Sequence, residues 1–205
     1  MRQLPYVALL IYSFIAIRTN AQYVQPERDD TIRLMAKAPF DTVAARAALA
    51  KGTGAIKGVA FIHPVNQGFG IKTGKKIYAY KARVLLFPVT PYLLEYLDLK
   101  KKANPAKKKF AYLSHEAWYY RLEAITNSEG EFTFPDMKPG KYYLETIVNW
   151  QQSGTYNQYS GSGYNNYGGQ TDYYTRQNYT NNYADLVTKI VEIEKEGEVI
   201  QVKLK

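Results

Sequence analysis

The sequence contains no cysteine and only two histidines, His63 and His115. The lack of cysteine excludes disulfide bonds, thiolate zinc sites, iron–sulfur clusters and cysteine nucleophiles. Two histidines far apart in the chain leave little room for histidine chemistry, so we expect no metal site and no cofactor.

Acidic residues are the scarcer charge, since 27 Lys and Arg against 18 Asp and Glu give a formal charge of +9. Six lysines lie within residues 100–109 with no acid among them. Such a cluster attracts an anionic lipid or glycan surface, or else forms a solvated loop that keeps the protein soluble. No Arg–aromatic pattern accompanies it, so we expect no nucleic-acid partner. The candidate polyanion-binding residues are Lys100, Lys101, Lys102, Lys107, Lys108 and Lys109.

The N-terminal apolar run, Leu4–Ile17, is shorter than the roughly 20 residues that span a bilayer. A basic start precedes it, and the small residues Thr19 and Ala21 follow it. This pattern predicts a signal peptide over residues 1–21, with an uncleaved membrane anchor as the alternative. We therefore expect an exported protein, in the periplasm, at the cell surface or secreted.

The remaining composition is that of a folded protein, with 46% hydrophobic and 22% charged residues, which excludes wholesale disorder. Residues 22–53 are predicted to form an N-terminal segment with one helical turn around Asp30–Lys37. A short helix is also expected in this segment, capped by Asp41 and closed by Gly52.

From residue 54 onward the hydrophobic period becomes that of short β-strands broken by turn residues. Seven strands of this kind predict a mainly β protein with a β-sandwich fold. The predicted strands are Ala55–Ile62, Ile77–Phe87, Tyr119–Thr126, Glu131–Phe134, Lys141–Trp150, Leu186–Glu194 and Val199–Leu204.

Turn residues separate these strands. Asn127–Gly130 lies at hairpin distance between two strands, and Pro139 with Gly140 forms a second turn. Near the C-terminus, the turn Lys195–Gly197 follows one alternating run and precedes another, which predicts a hairpin with one solvent-exposed face.

Two insertions interrupt the predicted sandwich of residues 54–205. Residues 90–118 combine a helical spacing of Tyr and Leu with the lysine cluster. Residues 151–183 form a predicted loop that holds eight of the 20 tyrosines, with Asp172 and Arg176 as its only charges. A long loop of this kind is usually functional or disordered.

Tyrosine-rich loops of this composition are typical of interaction surfaces, because the rings stack on sugars or fill interfaces while Asn and Gln form hydrogen bonds. The alternatives are a flexible surface loop and a low-complexity segment that pairs with other chains. The candidate partner-binding residues are Tyr164, Tyr167, Tyr173, Tyr174, Arg176, Tyr179 and Tyr183.

A family resemblance lies in residues 126–144, where T-N-S-E-G-E-F-T-F is followed by Met137, Pro139, Gly140, Tyr142 and Leu144. This arrangement resembles the signature of carboxypeptidase regulatory-like domains, also called prealbumin-like domains. The segments Gly54–Gly58 and Ala82–Phe87 look like the first two strands of that family. The resemblance implies a prealbumin-like or immunoglobulin-like sandwich. Exported bacterial proteins carry this domain, usually as a non-catalytic folding or interaction unit.

Catalytic motifs are incomplete in the sequence. The pattern that starts at His115 has Tyr119 where a zinc-protease motif needs its second metal ligand, and Gly70–Lys76 lacks the spacing of a phosphate loop. Ser162 lacks the strand–turn–helix setting of a nucleophile elbow. We therefore expect a binding module without catalytic activity.

Its expected partner is an envelope protein or a glycan. The alternatives are a structural subunit of an envelope assembly, and a secreted hydrolase or its accessory domain acting on peptides or glycans, with a triad built on Ser114. The sequence leaves the oligomeric state open.

Overall fold

The computed structural model describes residues 31–64 and 75–205. Some predictions fall on residues outside the described ranges. These are the signal peptide, residues 22–30 of the N-terminal segment, and residues 70–74 of Gly70–Lys76. The elements, in chain order, are β1 (Ile32–Met35), α1 (Thr42–Ala48), β2 (Gly54–Ile62), β3 (Ile77–Tyr78), β4 (Arg83–Pro88), α2 (Pro91–Lys101), a 3-10 turn (Pro105–Lys107), β5 (Lys109–Tyr112), α3 (His115–Tyr119), β6 (Leu122–Ile125), β7 (Glu131–Met137), β8 (Gly140–Tyr164), β9 (Gln170–Ile193) and β10 (Val199–Leu204).

Two four-stranded sheets form a β-sandwich, which confirms the predicted fold class. One sheet has the order β10-β2-β3 with β7 also paired to β2, and the other has the order β6-β4-β8-β9. The described residues contain ten strands rather than seven. The predicted strand Ile77–Phe87 is divided into β3 and β4, while β1 and β5 form a separate parallel pair.

The inner faces of the two sheets supply one hydrophobic core. Alternate residues of each strand point inward, as expected for half-buried strands. The fully buried members include Ile56 and Leu204 from one sheet and Leu86, Tyr142 and Leu144 from the other. Phe132 and Phe134 of one sheet therefore lie in the same core cluster as Tyr142 and Leu144 of the other sheet.

The last strand does not form the predicted C-terminal hairpin. After the turn at Gly197, β10 leaves β9 and pairs in parallel with β2 in the opposite sheet, with Val202 next to Gly58. This crossing places Val202 and Leu204 in the core, where both are at most 3% exposed. Burial of these two side chains, rather than hairpin proximity, therefore explains the pairing.

The short helix α1 begins where the sequence predicts. Asp41 caps it, since its Oδ1 accepts a hydrogen bond from the Ala44 N–H at 2.9 Å. The hydroxyl of buried Tyr142 lies 2.9 Å from the carbonyl oxygen of Ala48, which links this helix to the sandwich. The helical turn predicted around Asp30–Lys37 is wrong, because residues 32–35 form β1 and pair with β5.

Helix α2 covers part of the outer face of the second sheet. Thr90 caps it, and Leu93 packs with Phe87 and Tyr143 in a second, smaller hydrophobic cluster. The helical spacing in residues 90–118 is thus confirmed. Burial, together with the nearby charge of Glu145 and the phenol of Tyr92, raises the pKa of Tyr96 to about 12.

Glu95 of α2 holds the segment between β1 and α1. Its carboxylate accepts hydrogen bonds from the N–H groups of Ala38 at 2.8 Å and Lys37 at 3.0 Å. These two bonds, that of Ala38 first, lower the pKa of Glu95. Because the pKa of Glu95 is lower in the folded chain, the ionised carboxylate stabilises the fold at pH values above the unfolded pKa. This stabilisation is lost as the pH falls through the folded pKa.

We expect Glu95→Ala to abolish the hydrogen-exchange protection of the Lys37 and Ala38 amides at neutral pH. Asp98→Ala is the matched control, since Asp98 lies on the same helix but contacts Lys101 instead. In the wild-type chain, the protection factors of the two amides should fall as the pH falls through the Glu95 pKa. Unchanged protection in Glu95→Ala would show that other contacts hold the segment.

Candidate functional site

The predicted tyrosine-rich loop is a β-hairpin. Residues 151–164 continue β8 and residues 170–183 continue β9, in a ladder that runs from Trp150 opposite Tyr183 to Tyr164 opposite Gln170. At about 3.3 Å per residue this part of the hairpin is about 45 Å long. We call residues 150–183 the arm. The prediction of a loop is therefore wrong: turn-type residues such as Asn and Gly are accommodated in a regular two-stranded ladder.

The arm extends the second sheet past the end of its neighbour. Strand β4 pairs with β8 only as far as Glu145. The core contacts end at Val148, Val187 and partly buried Trp150. Beyond this point β8 and β9 pair with each other, so both faces of the arm are available for contact.

Alternation of side chains divides the arm into two faces. The inner face continues the side that faces the core, and the outer face continues the opposite side. Ser160 is an extra residue in β8, where the register shifts between Tyr159 and Gly161. The inner face carries Trp150, Gln152, Gly154, Tyr156, Gln158, Gly161, Gly163, Thr171, Tyr173, Thr175, Gln177, Tyr179, Asn181 and Tyr183.

Two tyrosine rings of the inner face lie over glycines. A Cβ placed on Gly154 would be 2.6 Å from the Cζ of Tyr179, its cross-strand partner. A Cβ on Gly163 would be 3.1 Å from the Tyr173 ring. The missing side chains thus allow both rings to rest on the strand, while 39% of Tyr179 and 57% of Tyr173 stay exposed. Each ring presents apolar surface to solvent.

A stacked aromatic pair marks the base of the arm. The rings of Trp150 and Tyr183 have centroids 4.3 Å apart and an interplanar angle of 17°. The indole Nε1–H of Trp150 donates to Asp185 Oδ2 at 2.7 Å, which fixes the orientation of the ring. On the same face, Gln152 Oε1 is buried and has no hydrogen-bond partner among the described residues.

A cleft of about 460 Å³ lies at this junction between sandwich and arm. Three successive cross-strand pairs line the cleft, and they supply aromatic and amide groups without a charge. The pairs are Asn149 with Ala184, Trp150 with Tyr183, and Gln151 with Asn182.

The outer face of the arm is more polar. Near the tip, Ser162 Oγ lies 2.5 Å from the Tyr159 hydroxyl and donates to Asp172 Oδ1 at 2.5 Å. Gln170 Nε2 also donates to Asp172, at 2.8 Å. The hydrogen bonds from Ser162 and then Gln170 lower the pKa of Asp172. These groups form a polar network near the tip of the arm, in which the Asp172 carboxylate is the shared acceptor.

The predicted partner-binding residues do not share one surface. Tyr173, Tyr179 and Tyr183 lie on the inner face, whereas Tyr164, Tyr174 and Arg176 lie on the outer face. Tyr167 is in the turn at the tip and is 97% exposed. The sequence prediction missed Trp150 and Tyr156 on the inner face. Their even spacing on β8 was the available signal, and it becomes visible once residues 150–158 are taken as a strand.

The six lysines of the cluster lie at the end of α2 and in the segment up to β5. Folding brings acids to two of them: Lys100 Nζ lies 2.8 Å from Glu145 Oε2, and Lys101 Nζ lies 2.9 Å from Asp98 Oδ1. Lys107 is in the 3-10 turn, and Lys108 has a positive φ of 50°. The cluster is therefore less uniformly basic in the structure than in the sequence. The remaining members are Lys102 at the helix cap and Lys109 in β5.

Ser114 and the two histidines, which the alternative hydrolase triad would need, take part in local structure instead. Ser114 caps α3, since its Oγ accepts a hydrogen bond from the Ala117 N–H at 3.1 Å. His115 is the first residue of that helix, and His63 contacts the Phe61 ring at a centroid distance of 5.5 Å. Over residues 31–64 and 75–205, no three His, Asp or Glu side chains are grouped to hold a metal ion. Within the same ranges, no helix is long and apolar enough to cross a membrane.

Comparison with solved structures shows a structural likeness. No family model matches the chain, and no curated protein matches it. A crystal structure from Pseudomonas aeruginosa, named as that of a "putative carbohydrate binding protein", superposes with a TM-score of 0.54 and 20% sequence identity. The superposition covers 82% of this chain and 97% of that chain. At this identity the likeness establishes a shared fold, and a fold alone does not establish a function.

Proposed function

We propose that the chain is an exported, non-catalytic module that binds a neutral glycan along the inner face of the arm. The observation that carries the proposal is the set of exposed aromatic rings on this face, two of which rest on glycines. The carbohydrate-binding name of the Pseudomonas aeruginosa structure supports the same class of ligand.

The chemistry of the inner face suits a sugar chain. Sugars have apolar C–H faces that pack on aromatic rings and hydroxyl groups that need hydrogen-bond partners. Tyr156, Tyr173 and Tyr179 supply rings along the arm, and Gln158, Gln177 and Asn181 supply amides between them. Amides both donate and accept, so they match hydroxyl groups in either role.

The stacked pair at the base supplies a second kind of contact. The Trp150 indole is already fixed by Asp185, so a ligand that packs against it orders little additional side chain. Gln152 Oε1 is an unsatisfied acceptor two residues away. Rotation of this side chain toward a ligand hydroxyl would satisfy that acceptor and favour the bound state.

The absence of charge on the inner face favours a neutral glycan over an acidic one. None of the described inner-face residues of the arm is Asp, Glu, Lys or Arg. We therefore expect the affinity to change little with ionic strength, because screening acts on charged contacts. Binding through the lysine cluster, which is the sequence-based alternative, would instead weaken steeply with salt.

The family, the compartment and the absence of catalysis complete the proposal. The two-sheet architecture and the residues from Thr126 to Leu144 support a carboxypeptidase regulatory-like, prealbumin-like domain. The signal-peptide pattern of residues 1–21 supports export. The role of Ser114 as a helix cap argues against a serine nucleophile at that position.

Affinity electrophoresis in gels that contain a panel of neutral and acidic polysaccharides tests this function. We expect retardation of the purified chain by at least one neutral polysaccharide, with no release of reducing ends on prolonged incubation. Retardation only by acidic polysaccharides, and only at low salt, would indicate that the lysine cluster is the binding site and that the arm is not. Hydrolysis that is lost in Ser114→Ala would make the protein an enzyme.

Tyr179→Ala should weaken binding of the retarding polysaccharide by about two- to tenfold, because it removes one ring from the inner face and aromatic contacts contribute about 0.5–1.5 kcal/mol. Tyr164→Ala is the matched control, since Tyr164 lies on the outer face of the same arm and is 74% exposed. Dissociation constants come from mobility against polysaccharide concentration. Equal losses in both variants would argue against a face-specific site.

A further inference from the structure

The outer edge of β9 is a regular strand edge, and over residues 170–182 no second strand pairs with it among the described residues. Strand β8 is its hydrogen-bonded neighbour from Ile193 to Gln170, and β9 is the last strand of its sheet in the described part of the chain. Such an edge presents a row of backbone N–H and C=O groups that can pair with another strand. The arm therefore offers a surface for strand addition.

Several features that usually prevent edge pairing are absent from this edge. Proteins block exposed edges with lysine, proline, bulges or very short strands. Residues 170–183 contain no lysine, proline or glycine, and the bulge at Ser160 lies on β8 instead. Thr and Tyr, which favour strands, make up half of these 14 residues. The edge of β9 is thus long, regular and unblocked.

The two charges of the arm define one register for pairing with a second copy. Asp172 and Arg176 both lie on the outer face of β9, four residues apart, with Tyr174 between them. In an antiparallel pair of identical strands centred on Tyr174, Asp172 of each copy lies opposite Arg176 of the other. Directly opposite residues on one face have Cβ atoms about 4.5–5.5 Å apart, close enough for an ion pair.

We propose that two copies of the chain pair through the β9 edges of their arms, antiparallel and centred on Tyr174, to form a closed two-fold dimer. Two Asp172–Arg176 ion pairs then fix the register. The contact is isologous, because each copy uses the same β9 edge. Both β9 edges are then paired, so a third copy cannot add through this edge. The ribbon formed by the two arms has four strands.

This dimer leaves both faces of the arms open. Because opposite residues of an antiparallel pair point to the same side, the two inner faces lie side by side on one surface of the ribbon. Two aromatic faces on one surface can bind one polymer chain at two places, which increases the apparent affinity. The dimer itself, however, does not depend on a glycan, and its test uses none.

Sedimentation equilibrium of the full chain over a concentration series tests the proposal. We expect the wild-type chain to form a dimer and no larger species. Asp172→Arg should weaken dimerisation by about tenfold or more, because it places two Arg opposite two Arg. Arg176→Asp should have the same effect, because it places Asp opposite Asp.

Two restorations separate register-specific pairing from loss of structure. The double variant Asp172→Arg with Arg176→Asp should dimerise as the wild type does, since both ion pairs re-form with reversed direction. An equimolar mixture of the two single variants should form a heterodimer at concentrations at which each variant alone is mostly monomeric. Ser153→Asp, on the outer face of β8 opposite Thr180, is the control for a charge change away from the Asp172–Arg176 pairs and should leave the dimer intact.

Three results would overturn the proposal. These are a monomer at all concentrations, a dimer that is insensitive to both single reversals, and open-ended association into larger species. Failure of the double variant and of the mixture to recover the dimer, with circular dichroism that shows folded chains, would also reject the register centred on Tyr174.

Discussion

Replacing residues 152–181 by an Asn-Gly turn should abolish binding of the neutral polysaccharide while the sandwich stays folded. The deletion removes Tyr156, Tyr173 and Tyr179 from the inner face together with their neighbouring amides. It leaves Gln151 and Asn182, which are opposite each other, to be joined by a turn type suited to two-residue hairpins.

The sandwich should survive because its core lies below the arm. The buried residues of β8 and β9 extend only to Val148 and Val187, and the partly buried ring of Trp150 is retained in the shortened chain. The arm residues contribute mainly exposed side chains. Their loss therefore removes little of the apolar area that stabilises the fold.

Thermal unfolding and affinity electrophoresis of the shortened chain check both halves of this prediction. We expect a cooperative transition close to that of the intact chain, and a mobility that no neutral polysaccharide changes. Retained retardation would place the binding site outside residues 152–181. A chain that no longer unfolds cooperatively would show that the arm belongs to the stable core.

Gly130→Ala should destabilise the sandwich by about 3 kcal/mol or more. Gly130 has a φ of +73°, a conformation that costs an L-residue about 1–2 kcal/mol. In addition, a Cβ at this position would be 2.4 Å from the carbonyl oxygen of Ala60. That carbonyl accepts a hydrogen bond from Ala79, and the Ala60 N–H donates to the Gly130 carbonyl, so displacing β2 here weakens both bonds.

Gly197→Ala is the matched control for backbone strain. Gly197 has a similar φ of +76°, but a Cβ there meets no atom within 4 Å. We expect this variant to lose only about 1 kcal/mol. Urea unfolding of both variants separates strain from collision, because the midpoint should fall much further for Gly130→Ala with an unchanged slope. Equal urea midpoints for the two variants would show that the β6–β7 turn shifts to avoid the collision with Ala60 at little cost in stability.

The sandwich could be predicted from the sequence because local signals and burial agree there. Phe132 and Phe134 alternate with polar residues, Asn127 and Gly130 mark a tight turn, and Asp41 marks a helix start. Each pattern describes neighbours in the chain, and each is confirmed. At β10, where the predicted hairpin does not form, the deciding contact with β2 joins residues more than 130 positions apart.

The arm was predicted poorly because its strands are not half-buried. Hydrophobic alternation identifies a strand that has one face on a core, and residues 151–183 have no such face. Asn, Gly and Ser are also read as turn residues, although here Gly154 and Gly163 make room for tyrosine rings. The position of Trp150 opposite Tyr183 follows from the register of the whole hairpin, which the sequence does not specify locally.

The fluorescence of Trp150 tests most directly whether a neutral glycan rests on the inner face. The chain has two tryptophans, so Trp118→Phe leaves Trp150 at the base of the arm as the reporter. During titration with the retarding neutral polysaccharide, we expect a saturable change in emission. Its midpoint should match that from electrophoresis and should be equal at low and high salt. Saturation of binding by electrophoresis without any change in Trp150 emission would contradict a site on this face.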